Sequence, residues 1–348
     1  MSHSTVPRSG AEAADETDKS PVASGGATGP TGGAAKRPSG KLSLRLRFRR
    51  DRVLLLMTLP ALALVLLFAY VPILGNIVAF QDYDPYISDN GIVSMLHSPW
   101  VGLENFQRIF EDSAFWDAVT NTLVLFFLQL VLYFPIPILL ALLINSVVRP
   151  RVRAISQAIL YLPHFFSWVL VIAVFQQLFG GAGILSQLLR QHGYDGLDIM
   201  TDPETFKYLI TAQSVWKDAG WGIIVFLAAL SSVPTDLYEA AAMDGAGRRR
   251  RIWHVTLPAL RPVIALLLVL RVGDALTVGF EQILLQRDSV GPGASEVLDT
   301  FVWWNGVRNQ DFGYAAAAGL VKGVVSLGLV LAANKVAHLM GEQGVYKK

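Results

Sequence analysis

Long apolar runs divide this chain at residues 53–80, 118–144, 155–179, 208–231, 256–283 and 312–337. About twenty residues at a rise of ~1.5 Å each cross a hydrocarbon core ~30 Å thick, and each run reaches that length. In lipid every backbone amide needs a partner within the protein, so runs of this kind fold as helices. The expected fold is an all-α integral membrane protein with six transmembrane helices. Composition agrees: 53% of the residues are hydrophobic and 16% charged, against about 25% charged in soluble domains. Pro60, Pro72, Pro135 and Pro137 fall inside the first two runs, where they are expected to kink helices without ending them, since neighbouring helices satisfy the freed carbonyls.

Outside these runs the sequence changes character. Residues 1–40 are rich in Gly, Ala, Ser, Thr and Pro with little to bury, the composition of a disordered tail. A cleaved signal peptide is not expected, because the first apolar run begins only near Val53 and no small-residue cleavage pattern follows it. Residues 41–52 are basic and read as a juxtamembrane anchor or an amphipathic surface helix. The six-helix domain then covers 53–348. Arginines sort by loop: Arg45, Arg47, Arg49, Arg50 and Arg52 precede the first run, Arg149, Arg151 and Arg153 follow the second, Arg248 to Arg251 follow the fourth, and Lys347 and Lys348 close the chain. The alternate loops carry Asp82, Asp84, Asp89, Glu104, Glu111 and Asp112, then Asp195, Asp198, Asp202 and Glu204. By the positive-inside rule both termini are cytoplasmic and the protein is multi-pass. Two stretches of the acidic loops, "SPWVGLENFQRIF" and "GAGILSQLLRQ", read as short helices on the outer surface.

Several chemistries are absent. A net charge of +2 gives no reason to expect a nucleic-acid partner, and the lack of cysteine excludes disulfides and thiolate chemistry. The phosphate-loop pattern G-x-x-x-x-G-K-[ST] fails around Gly40-Lys41, where Ala35 and Leu42 occupy the first glycine and hydroxyl positions. ATP hydrolysis is therefore expected elsewhere. His97, His164, His192, His254 and His338 are scattered, so no metal site is expected.

The loop after the fourth run, "EAAAMDGAGRRRRIWHVTLP", is built differently from its surroundings. Asp236 is a plausible N-cap, "LYEAAAM" a good helix former, Gly245 a residue able to take positive φ, and "RRRRIWHV" the start of a second helix. Small side chains at Ala240, Ala241 and Ala242 allow close approach by a partner, and Glu239 offers it a carboxylate. The arginine run reads either as an anchor at anionic headgroups, about 1 kcal/mol per charge, or as a direct partner contact; Trp253 reads as an interface aromatic.

Glu239-Ala240-Ala241, three residues, Gly245, nine residues, then Val255-x-Leu257-Pro258 resembles the EAA loop of permease subunits in binding-protein-dependent ABC importers, with Val255 where that pattern usually has Ile. "YLPHFFSWVLV" from Tyr161, "SVWKDAGWGIIVFLAAL" from Ser214, "GFEQILL" from Gly279 and "EVLDTFVW" from Glu296 are similar to the LplB-like branch of its carbohydrate permeases. The resemblance spans about residues 50–348. It implies a MalF/MalG-like type I importer permease fold in a bacterial plasma membrane, importing carbohydrates and in particular oligosaccharides. Glu239, Ala240, Ala241, Asp244, Gly245, Leu257 and Pro258 would then belong to the coupling helices that dock on an ATPase. The implied partners are a second homologous permease, two ATPase subunits that hold ATP-Mg, an extracellular solute-binding lipoprotein and membrane lipids, with no cofactor in this chain. The alternatives are a permease for another polar solute such as glycerol phosphate, or a secondary transporter, which should show an internal repeat or broken helices around a midplane ion site, neither of which is found in the sequence.

Polar residues inside the runs are the remaining clue, because a charge at mid-membrane costs about 2.5–3.5 kcal/mol on insertion scales and faces protein or water. Arg271 and Asp274 are three apart and can pair on one helix face. Glu281 and Gln282 follow in the same run, while Lys217, Asp218 and Lys322 can join a shared polar interior. These residues read either as a substrate pathway or as structural ion pairs between permeases. His164, Trp168, Gln176 and Gln213 are further candidates.

Overall fold

The computed structural model describes residues 52–339. The expected tail, the basic segment up to residue 51 and the closing Lys347 and Lys348 lie outside the described residues. Among the described residues six helical stretches are long and apolar enough to cross a membrane: Arg52–Phe80, Ser113–Asn145, Trp168–Gln191 (the helices Trp168–Phe179 and Ile184–Gln191 taken together), Phe206–Ser231, Arg248–Gly273 and Phe312–Leu339. Among the described residues the only β pairing is an isolated bridge between Gln81 and Trp100. The all-α, six-span expectation holds.

The chain divides into two units, Met1–Ala63 and Leu64–Lys348. Residues 52–63 of the first are helical, with Pro60 carried inside the helix Arg52–Val65. In the second unit the helical path continues through a π turn at Leu66–Tyr70, a short helix Val71–Gly75 and a 3-10 turn Asn76–Phe80. Pro135 opens the helix Pro135–Asn145, yet Tyr133 and Phe134 before it keep right-handed helical dihedrals. The second span is kinked there and not interrupted.

Two expected spans are corrected. The run 155–179 is not one helix: Pro150–Tyr161 passes into a 3-10 turn Leu162–Phe165, and a new helix Trp168–Phe179 begins beyond it. Pro163 lacks a donor, Phe166 and Ser167 are extended, and the Ser167 hydroxyl accepts from the Leu170 amide (3.3 Å), capping the second half. The run 256–283 ends early. Its helix Leu257–Gly273 stops at Asp274, and Gly279 at φ +54° turns the chain into a separate helix Phe280–Leu284. Gly and Asp are weak helix formers, and burial elsewhere wins: Ala275, Val278 and Ile283 pack with Leu125, Phe126, Phe206 and Ile210. Apolar length alone does not distinguish a span from a segment that folds back on protein.

The fourth span, Phe206–Ser231, is the centre of packing. On the half that leads into the Arg-rich loop, Ile223, Phe226, Leu227 and Leu230 meet Ala141, Ile144 and Leu260. Nearer its other end Leu209 joins Val171, Phe175 and Met200. At Gly220 it touches the end of helix Pro150–Tyr161, where any Cβ would run into the Leu160 carbonyl. The sixth span starts in a further cluster, with Tyr314, Ala317 and Ala318 against Ile109, Phe115 and Phe301. Both short helices expected in the acidic loops are present, at Glu104–Glu111 and Ile184–Gln191, and Gly91–His97 adds one that the sequence reading missed.

Candidate functional site

The loop after the fourth span forms two helices, Thr235–Met243 and Arg248–Arg251. Pro234, and not Asp236, occupies the N-cap position; Asp236 sits in the first turn, where its charge suits the helix dipole. The other end closes on Gly245 at φ +72°. The Gly245 amide donates to Ala242 O (3.0 Å) and the Ala246 amide to Ala241 O (2.9 Å), the two bonds of a Schellman cap. The second helix continues through a π turn Ile252–Thr256 into Leu257 and Pro258 at the head of the fifth span.

Few contacts anchor this loop. The Tyr238 hydroxyl lies 3.1 Å from Thr256 Oγ1, and Arg248 donates to the Ser146 carbonyl (3.2 Å). No residue of Thr235–Met243 is buried. Glu239, Ala240, Asp244 and Gly245 are exposed, Ala241, Leu257 and Pro258 half-buried. Leu237 and Met243 are exposed apolar residues, and the Glu239 carboxylate meets no partner among the described residues. The helix therefore presents an exposed carboxylate beside small and apolar side chains.

The intramembrane candidates separate into distinct clusters and do not form one polar interior. Arg271 does not pair with Asp274: it donates to Gln129 Oε1 and stands over the Tyr133 ring at 5.8 Å, while Asp274 is exposed at the helix end. Helix packing turns the guanidinium toward the second span, away from its neighbour in sequence. Lys322 bonds Asp299, on the helix Leu298–Trp303 that precedes the sixth span. Gln282 is fully buried, donating to Gln213 Oε1 (2.7 Å) and to Ile210 O (2.9 Å), with Gln286 completing the amide cluster. Glu281 beside it is exposed.

Lys217 and Asp218 face the break in the third span. The Lys217 ammonium donates to the His164 carbonyl (2.6 Å) and lies 5.4 Å above the Trp168 ring. Asp218 accepts from His164 Nδ1 (2.8 Å), and the His164 ring stacks on Trp221 at 4.5 Å. Trp221, Gln129, Asp299 and Gln286 were missed in the sequence; the signal for the first was a Pro-His pair in mid-run. A further missed pair is Arg287 with Glu296, buried together (2.5 Å) under Trp304.

Six spans, with an exposed two-helix loop between the fourth and the fifth, are shared with known proteins. Residues 133–339 match the family described as binding-protein-dependent transport system inner membrane component. The chain belongs to that family. It is a membrane-spanning permease component of an ABC importer. The permease is 41% identical to the polygalacturonan/rhamnogalacturonan transport system permease protein YteP of Bacillus subtilis, over 87% of this chain and 93% of that one. It is 38% identical to Protein LplB of the same organism, over 88% and 94%. Among solved structures, a bacterial ABC transporter involved in import of the acidic polysaccharide alginate superposes with a TM-score of 0.77 at 36% identity, covering 85% of this chain and 98% of that one. The alginate transporter in complex with a pentasaccharide-bound periplasmic protein gives a TM-score of 0.78, covering 87% and 99%.

Proposed function

We propose that this permease imports oligosaccharides, uronate-bearing ones foremost, as one half of a translocation pathway completed by a second homologous permease. Its identity to a permease named for polygalacturonan and rhamnogalacturonan, along nearly the whole length of both chains, carries the reading. Two ATPase subunits holding ATP-Mg drive it, and an extracellular solute-binding lipoprotein delivers the sugar. The Arg-rich loops and both termini are cytoplasmic, in the bacterial plasma membrane. This chain holds no cofactor of its own.

The exposed helix Thr235–Met243 seats in the ATPase, with Glu239 toward a basic partner residue, Ala240 and Ala241 permitting close approach, and Asp244, Gly245, Leu257 and Pro258 fixing its exit into the fifth span. ATP closes the ATPase pair and thereby favours the outward-open permeases; hydrolysis resets them. Only contacts that differ between the two states shift that equilibrium, and an exposed helix tied to the head of the fifth span is placed to supply them. The polar clusters at Lys217 and Asp218, Arg271 and Gln129, and Lys322 and Asp299 border the pathway.

The test is reconstitution of the complex and measurement of ATP hydrolysis stimulated by sugar-loaded binding protein. Glu239→Lys with Gly245→Asp should abolish stimulation and ATPase association while the permease stays folded. Unchanged stimulation refutes the coupling role. A second reading, glycerol phosphate, is motivated by 29% identity to the sn-glycerol-3-phosphate permease UgpA of Pectobacterium atrosepticum; uptake of that solute and not of oligogalacturonate would select it.

A further inference from the structure

We propose that His164 reads the carboxylate of an anionic sugar residue as it passes the break in the third span, an inference that rests on the carbohydrate reading above. The location follows from membrane physics. Non-helical backbone at membrane depth survives only where it is buried in protein or lines a water-filled path. Phe166 and Ser167 are extended in the middle of the apolar run 155–179. Asp218 is equally central in the fourth span, Phe206–Ser231. The side chains of His164 and Asp218 are 32% and 31% exposed, and a half-exposed ionisable pair at that depth faces water or protein and not lipid.

The chemistry follows from which atoms are already engaged. Lys217 is committed to the His164 backbone carbonyl (2.6 Å) and Trp168, with its side chain only 9% exposed. It locks the turn and offers nothing to a ligand. Asp218 Oδ1 takes His164 Nδ1 at 2.8 Å, with Lys217 Nζ at 3.9 Å. Two polar atoms remain: His164 Nε2 and Asp218 Oδ2 meet no hydrogen-bond partner among the described residues. The charged groups facing the ring are Asp218 and Lys217 from the fourth span, with Tyr133 and Arg271 beyond them. In the proposed complex both ring nitrogens carry hydrogen, Nδ1–H donating to Asp218 and Nε2–H to the sugar carboxylate. In that complex Lys217, the ring and Asp218 sum to a single positive charge, which the sugar carboxylate neutralises. Asp218 Oδ2 then accepts a hydroxyl of the same sugar, beside the exposed aromatic surfaces of Trp221 and Phe165.

The importer reconstituted in proteoliposomes with its ATPase and binding protein tests this, using trigalacturonate and its methyl ester as paired substrates. The binding protein is common to every variant, so its own preference cancels when ratios are compared. His164→Gln should lower the acid-to-ester uptake ratio about tenfold, the change that about 1.4 kcal/mol produces, and His164→Arg should keep it. An unchanged ratio in His164→Gln, whether both rates fall together or neither does, overturns the proposal. So does loss of the ratio in an assembled His164→Arg complex, which stays informative if the glutamine variant does not assemble. Wild-type importer that moves neither saccharide refutes the uronate reading on which the proposal rests, an outcome visible before any variant is compared.

Discussion

Glu296→Leu offers a stability test whose size can be worked from the structure. Arg287 Nε and Nη2 both donate to Glu296 Oε2, at 2.7 and 2.5 Å, and the two side chains are 10% and 8% exposed. The guanidinium lies 3.7 Å from the Trp304 ring centre. Without Glu296 it retains Asp288 at 3.6 Å, but that carboxylate is 86% exposed and screened by solvent. Breaking a buried pair from one side costs about 3–5 kcal/mol because a charge is left uncompensated. Asp288 places the expected loss near the lower end, about 3 kcal/mol, which is more than a hundredfold in the folded-to-unfolded ratio. Replacing both partners, Arg287→Met with Glu296→Leu, removes the stranded charge and should recover most of that loss. Titration with SDS in mixed micelles, followed by tryptophan fluorescence, measures all three proteins. A single variant as stable as wild type, or a double variant less stable than the single, refutes the reasoning.

Three further outcomes are expected. Gly220→Ala drives a methyl into the Leu160 carbonyl, a backbone atom that cannot rotate away, so it should cost about 2 kcal/mol or more by overpacking; wild-type thermal stability in detergent would contradict that contact. Gly245→Ala meets no atom within 4 Å but must hold φ near +72°, a local cost of about 1 kcal/mol; hydrogen exchange at the Ala246 amide should quicken several-fold while the global melting temperature stays put. Asp202 accepts from the Thr205 hydroxyl (2.7 Å) and the Glu204 amide (3.1 Å), which hold its carboxyl below the ordinary carboxylate range, the hydroxyl foremost. A depressed folded pKa contributes stability above the unfolded value and loses it as pH falls through the folded one. Asp202→Asn should therefore be less stable than wild type at neutral pH, with the difference closing on acidification; a gap independent of pH would refute it.

The spans and the helix-turn-helix shape of the loop after the fourth were legible in the sequence because each depends on local chemistry. An apolar run in lipid has to bond its own backbone, whatever its neighbours are, so six spans could be placed without any contact. Gly245 announced its left-handed turn, because few other residues tolerate one, and the helix Thr235–Met243 followed from its composition. Where runs were misread the missing information was packing. Pro163 was visible, but whether a proline kinks or breaks a span depends on what receives the carbonyls left open at the turn, and one of them, His164 O, is taken by Lys217, 53 residues away. Residues 274–283 were apolar enough to extend the fifth span, yet folded back because Leu125, Phe126 and Ile210 offered a surface.

Polar pairing lay furthest from the sequence. Arg271 and Asp274 share a helix face on paper, but the guanidinium meets Gln129, 142 residues away, and Asp218 meets His164 across 54. The alphabet of a helix sets which side chains share its face; the rotation of that helix against its neighbours sets which of them touch. The sequence by itself determined that this chain spans a membrane six times and carries a helix-turn-helix loop closed at Gly245, since both are enforced residue by residue. Only the tertiary structure decided which charges meet at mid-membrane, because desolvating a charge is tolerated only beside a particular partner, and packing alone brings that partner there.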